Sequence, residues 1–142
     1  MALISANFLD CVVAIGLGEQ HRPSSYKWQA TGFLVGRPLR EIEEDGVPKN
    51  VYTIYLVTNR HVFEHFEEAG AKSFVVGFNP ESAEKGGVEI SSLSLADDGE
   101  RLWTAHPTED VAVIPLNVAL LKQQERHFEF LGSSRIFQRG LR

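Results

Sequence analysis

Two residues of this chain form a pair of types able to move a proton. His61 sits in Thr58-Asn59-Arg60-His61-Val62, where the strongest strand signal, Val51–Thr58 (VYTIYLVT), gives way to a short helical stretch. A histidine at a strand exit is held by rigid backbone yet can face a cleft, which suits a general base. Asp110 opens the apolar run Asp110-Val111-Ala112-Val113-Ile114 and is expected to be partly buried. A buried carboxylate is costly unless hydrogen-bonded, and an imidazole N–H is an apt partner. Such a pair fixes the histidine tautomer and stabilises the imidazolium that forms during acyl transfer. Taken singly, each residue has an ordinary explanation. A histidine at a strand end is commonly structural or merely exposed, and an aspartate before a strand is commonly a turn residue.

The same stretch carries a second pattern. His61-Val62-Phe63-Glu64-His65 fits H-x-x-E-H. On a helix His61 and His65 share a face and can ligate zinc while Glu64 activates a water, with Glu125 or Glu129 as third ligand. A five-residue pattern is weakly specific, and it begins where a strong strand ends. Read plainly, Glu64 and His65 are solvated helix residues. No other feature calls for a metal or an organic cofactor.

Whatever these residues do, a modest globular framework must position them. The chain has 142 residues, 43% hydrophobic and 23% charged, which fits one folded domain rather than a disordered or repetitive chain. Its formal charge of −5 argues against nucleic-acid binding, which needs a basic face to displace counterions. No apolar run approaches the roughly 18 residues of a membrane span. The longest, Val111–Leu121, is interrupted by Pro115 and Asn117. The single cysteine, Cys11, excludes an internal disulfide and any Cys₄ or Cys₂His₂ zinc site. It sits in an apolar strand and is expected to be buried and inert. The start, MALISANFLDC, lacks a basic segment ahead of its apolar residues and does not read as a secretion signal, so the cytoplasm is the expected compartment.

The elements read as short strands between breakers. Cys11–Leu17, Lys27–Val35, Val51–Thr58, Ser73–Phe78, Val88–Leu95, Leu102–Ala105 and Val111–Leu116 are strand-like, although the apolar side of Val88–Leu95 is ambiguous. Asp97-Asp98-Gly99 signals a hairpin joining Val88–Leu95 to Leu102–Ala105. Gly36–Asn50, with Asp45-Gly46 and Pro48, and Asn79–Gly87 read as loops, the acidic Glu41–Asp45 being solvated. Short helices are expected over Val62–Ala69 and over Val118–Leu131, the latter with Asn117 as N-cap and Gly132 at its end. Six or seven strands at this spacing, without βαβ alternation, predict an all-β sandwich or small barrel. Phe128–Arg142 is unusually apolar for a chain end; it either docks on the barrel or leads towards a partner domain. Tyr26, Trp28 and Trp103 read as core or rim aromatics. His21, His106 and His127 have no motif around them.

Three segments taken in order resemble a known family. Ala30-Thr31-Gly32-Phe33-Leu34-Val35, Leu56-Val57-Thr58-Asn59-Arg60-His61-Val62 and Asp110-Val111-Ala112-Val113-Ile114 are similar to the N-terminal half of the trypsin-like (chymotrypsin-fold) serine peptidases, closest to the bacterial, disulfide-free kind. The likeness covers most of Cys11–Leu116, with histidine before aspartate as in the family. It implies a six-stranded antiparallel barrel over residues 1–116, with 117–142 as a helix and inter-barrel connection. It also implies His61 as general base, Asp110 as its orienting acid, and a polypeptide substrate. Ala30 stands where the family often has glycine. The larger departure is the nucleophile. The family's serine, in G-[DN]-S-G-G, belongs to a second barrel that also carries the oxyanion hole and specificity pocket, and this sequence has no such motif. Gly132-Ser133-Ser134-Arg135 lacks the following glycine and comes too early, so neither serine is expected to serve. The 142 residues alone are therefore expected to be inactive. A non-catalytic interaction module, self-associating or binding a partner through the face that a second barrel would cover, is the alternative.

Overall fold

In the computed structural model the described residues are 10–79, 88–124, 126, 128–132 and 138–139. They are mostly β-sheet. The long strands are β1 (Val12–Leu17), β2 (Lys27–Glu44), β3 (Val47–Thr58), β4 (Ser73–Phe78) and β5 (Glu89–Ser94). Shorter ones follow: β6 (Ala96–Asp97), β7 (Glu100–Arg101), β8 (Thr104–Ala105), β9 (Ala112–Pro115), β10 (Glu129–Gly132) and β11 (Gln138–Arg139). The helices are α1 (Arg60–Glu68) and α2 (Val118–Gln123), with one 3₁₀ turn at Pro23–Ser25. The main sheet runs β5-β4-β1-β2-β3-β9-β8, antiparallel along this path, with β10 joined to β2 in parallel, and curls into a half-barrel.

Alternation along the strands decides which side faces inward. Val13 and Ile15 of β1, Leu34 of β2, Ile54 and Leu56 of β3, Phe74 and Val76 of β4 and Ile114 of β9 form one buried cluster. Val75 is equally buried, so β4, in the middle of its neighbours, is covered on both faces. On β5 the buried residue is Ser91, opposite Val76, which assigns the ambiguous strand: Glu89, Ser91 and Leu93 lie on the core side. Gly32 and Gly36 of β2 also lie on that side. A Cβ at Gly36 would run into the ring of Phe130, and one at Gly32 would come within 2.8 Å of the Val57 carbonyl oxygen.

Two expectations need correction. Gly36–Asn50 is no loop: β2 and β3 continue as a ladder to Glu44 and Val47. Asp45 and Gly46, both at positive φ (53° and 76°), form the two-residue turn whose twist suits a hairpin, so the charged residues ride on paired strands. The second helix is also shorter than predicted. Asn117 caps it, accepting the Leu120 N–H on Oδ1 at 3.0 Å, but α2 ends at Gln123. Beyond it, Phe128 and Phe130 alternate into the core at 4% and 1% exposure, and Leu131 and Gly132 pair parallel with Val35 and Gly36. A period of two over Phe128-Glu129-Phe130 outweighed the helical pattern. The Asp98-Gly99 turn forms, at φ 50° and 79°, but it joins the two-residue strands β6 and β7, and does not pair Val88–Leu95 with Leu102–Ala105: β5 pairs with β4, and β8, only Thr104–Ala105, pairs with β9. Residues 80–87, most of the loop expected over Asn79–Gly87, lie outside the described residues, as do Ser133 and Ser134, Glu125 and His127.

The two ends of the sheet differ. Between β5 and β9 there is no ladder among the described residues. A cleft of about 320 Å³ lies there, lined by Leu93, Ile114 and the Leu120 side of α2. The chain crosses this seam through Leu102, whose N–H donates to the Leu95 carbonyl at 2.9 Å. The outer side of β5 is occupied by side chains. Gln20 donates Nε2–H to the Ile90 carbonyl and accepts the Ser92 N–H on Oε1, each at 3.3 Å. Arg126 donates to the Ile90 carbonyl at 2.6 Å and to Ser91 Oγ at 2.9 Å, and Ser91 donates to Gln124 Oε1 at 2.6 Å.

Candidate functional site

β3 delivers the chain to the site and is pinned where it ends. The hydroxyl of Thr58, almost fully buried, donates to the Thr31 carbonyl of β2 at 2.9 Å. Asn59, in extended conformation, is the N-cap of α1, but its side chain makes no cap bond. Instead its Nδ2–H donates to the Asp110 carbonyl at 3.2 Å. Helix α1 is amphipathic. Val62, Phe63 and Phe66 are buried, and Phe63 meets Phe74 and Trp103 with ring centroids 5.4 Å apart in each case. Glu67, on the same helix, accepts two hydrogen bonds from Arg101 at 2.8 and 2.7 Å and one from Trp103 Nε1 at 2.9 Å. The Arg101 guanidinium lies 4.1 Å from the centre of the Trp103 ring. Arg101 thereby lowers the Glu67 pKa, Trp103 adding to the effect against some desolvation. The helix is thus fixed in rotation, and His61, in its first turn, is presented outward with a side chain 70% exposed.

Asp110, expected to be partly buried, is instead exposed, because it stands on the loop between β8 and β9 rather than inside a strand, and it meets His61 twice. Its Oδ1 accepts the His61 backbone N–H at 2.9 Å, and its Oδ2 lies 2.6 Å from His61 Nδ1. An ionised carboxylate only accepts, so the Nδ1 proton points at Asp110, and in the neutral ring Nε2 carries the lone pair. The Asp110 pKa is lowered, first by the His61 backbone N–H and then by the His61 ring; desolvation opposes this, and the Arg60 charge adds to the lowering. The carboxylate also takes up an otherwise unpaired amide at the start of α1, where a negative charge meets the positive helix end.

The three residues 59 to 61 all reach the Asp110 loop, since Arg60 Nη1 donates to the His106 carbonyl at 3.1 Å. Of these residues the sequence pointed only to His61 and Asp110. Asn59, Arg60 and His106 were missed; the one signal available was adjacency, Asn59-Arg60 preceding His61 and His106 preceding Asp110 by one turn length.

The zinc pattern is geometrically ordinary. His61, Glu64 and His65 are exposed on α1, and Glu64 pairs with Arg60 Nε at 2.9 Å. Among the described residues no three His, Cys, Asp or Glu side chains converge to hold a metal. Glu125 and the Glu129 side chain lie outside the described part.

A row of apolar side chains borders the pair. Register places Val12 opposite Phe33, Phe33 opposite Val57, and Val57 opposite Val113, all on the outer face of the sheet. Val12 and Phe33 are 45% and 42% exposed, and Val111, next to Asp110, is 42% exposed. Trp28 is also exposed, as a rim residue, whereas Trp103 and Cys11 are buried. No helix among the described residues is long and apolar enough to cross a membrane. No family model, curated protein or solved structure matches the chain.

Proposed function

We propose that this chain is the histidine- and aspartate-bearing half of a trypsin-like serine endopeptidase. The observation that carries the reading is the double contact of Asp110 with His61, which leaves Nε2 as the free base of the ring. In the reaction so implied, Nε2 takes the proton of a serine hydroxyl as its oxygen attacks the peptide carbonyl. It then gives that proton to the leaving amine, while Asp110 holds the ring and faces the imidazolium. The serine, the oxyanion donors and the specificity pocket belong to a second barrel. The outer row Val12, Phe33, Val57 and Val113 supports this reading, because an apolar face beside the base is what such a barrel would cover. On the same reading β1 to β5 and β9 are the six strands of the first barrel, closing across the β5–β9 seam. A protein of this kind without disulfides suits a reducing compartment, and we place it in the cytoplasm.

The test begins with the intact mass of the native polypeptide, followed by labelling with a fluorophosphonate. The reading expects a mass well above 15.9 kDa, a labelled serine in a G-x-S-G-G context, and labelling lost in His61→Ala. Purified residues 1–142 should hydrolyse no peptide. Hydrolysis by these residues that His61→Ala abolishes, or stoichiometric zinc surviving gel filtration, would overturn it, the latter in favour of the H-x-x-E-H site. A native mass equal to that of this chain would instead favour a non-catalytic module. The exposed apolar row fits that second reading too, with self-association seen as a concentration-dependent sedimentation coefficient.

A further inference from the structure

The loop that carries Asp110 has no apolar anchor. Every residue from His106 to Val111 is exposed, so its shape depends on hydrogen bonds alone. Most of those bonds meet at one residue. The N–H groups of Thr108 and Glu109 point at Nδ1 of His106, at 3.2 and 2.9 Å, and the Thr108 hydroxyl lies 3.3 Å from the same atom. The His106 N–H donates to the Val111 carbonyl at 2.8 Å, and its carbonyl accepts from Arg60. A ring nitrogen that accepts two amides carries no proton, so the His106 proton resides on Nε2.

We infer that His106 is a positioning residue for the His61–Asp110 pair: its neutral ring is the inner acceptor around which residues 107–110 fold, and this sets where the Asp110 carboxylate stands. The functional meaning of this role rests on the proposed peptidase reading, while the geometry does not. A second proton on the ring removes the acceptor and turns an N–H towards two N–H donors. The charged and titratable groups facing the loop are Arg60 with its partner Glu64 from α1, His61, and Glu109 and Asp110 from the loop itself. None of them supplies an alternative acceptor to the Thr108 and Glu109 amides among the bonds described.

The test is NMR on isotope-labelled residues 1–142, comparing the wild type with His106→Ala and His106→Asn. Asparagine Oδ1 can stand close to where Nδ1 stands. The expected result is that folded His106→Ala loses hydrogen-exchange protection at Thr108 and Glu109 and that its Asp110 carboxyl titrates closer to the ordinary aspartate range. His106→Asn should restore both. A folded His106→Ala with Asp110 still titrating low, or a His106→Asn no better than alanine, overturns the inference. Should His106→Ala not fold, the wild type decides. Protection factors at Thr108 and Glu109 should fall by about tenfold or more as the His106 ring nitrogen takes its second proton, while core amides keep theirs. Unchanged protection there sinks the proposal. No readout requires peptide cleavage, so this role and the peptidase reading fail separately.

Discussion

Asp110 gives one oxygen to the backbone of His61 and the other to its ring, at 2.9 and 2.6 Å. The first contact fixes where α1 begins relative to the β8–β9 loop; the second fixes the tautomer of the imidazole. One carboxylate therefore couples the register of a helix to the protonation pattern of the His61 ring, and changes at Asp110 are expected to show in both stability and the titration of the pair.

Asp110→Asn separates those two effects. The amide oxygen can still accept the His61 N–H, but the side chain no longer enforces a proton on Nδ1. In a longer, serine-bearing chain kcat should fall by about 10⁴, the scale seen when a triad aspartate is replaced by asparagine. Asp110→Ala should lower Tm more than Asp110→Asn, since it also removes the acceptor at the helix start. Steady-state kinetics and thermal unfolding of the two variants check this.

Stability should depend on pH through the same group. The folded-state pKa of Asp110 lies below its unfolded value, so its contribution is complete above the unfolded aspartate range and is lost as pH falls through the depressed value. Urea unfolding of wild type and Asp110→Asn should differ at neutral pH and converge in strong acid. Glu67, lowered first by Arg101, should act in the same direction, so Glu67→Gln should be least destabilising at low pH. A difference between wild type and variant that grows on acidification would contradict this assignment.

Gly36 and Phe130 should behave as one unit. Gly36→Ala drives a methyl into the Phe130 ring and should cost about 1–3 kcal/mol, the range for overpacking. Phe130→Ala, at 1% exposure, should cost about 3–5 kcal/mol. The double variant should lose less than the sum, with a coupling of about 1 kcal/mol, because the smaller side chain makes room for the added methyl. Strict additivity in urea titrations would place the ring elsewhere.

Phe63 links the core to His61. It contacts Phe66, Phe74 and Trp103 and is completely buried, two residues after His61. Phe63→Leu should destabilise the fold and also loosen the first turn of α1. The hydrogen-bonded His61 Nδ1–H resonance should then broaden in the NMR spectrum well before global unfolding. A sharp resonance in the variant would show that the helix start is held by Asp110 alone.

The legible parts of the sequence were those in which local pattern and tertiary demand agree. The β-branched and aromatic residues of Val51–Thr58 mark a strand, and Asp98-Gly99 marks a tight turn. Strand exit and strand entry brought His61 and Asp110 forward as residue types suited to each other. The misreadings have one cause, local signals weighed without their partners. Charged residues over Gly36–Asn50 suggest a loop unless the strand opposite is known, and the turn that pairs them, Asp45-Gly46, was read as part of that loop. The helical pattern past Gln123 yields because Phe128 and Phe130 find the core at a spacing of two. His106 stayed invisible because its role exists only once the backbone of residues 107–109 has folded back onto its ring. No residue type next to it in the chain announces an acceptor.

The outer side of β5 carries a further consequence. A terminal strand with free peptide groups is a template on which other copies can add, and the usual defences are charges, prolines or bulges. Here an amide side chain imitates the missing neighbour: Gln20 offers a donor and an acceptor to Ile90 and Ser92, as a strand would, and Arg126 donates to the same carbonyl. Gln20→Ala and Arg126→Ala would free the Ile90 and Ser92 peptide groups for another strand, so aggregation rate is a property these two side chains govern alongside stability.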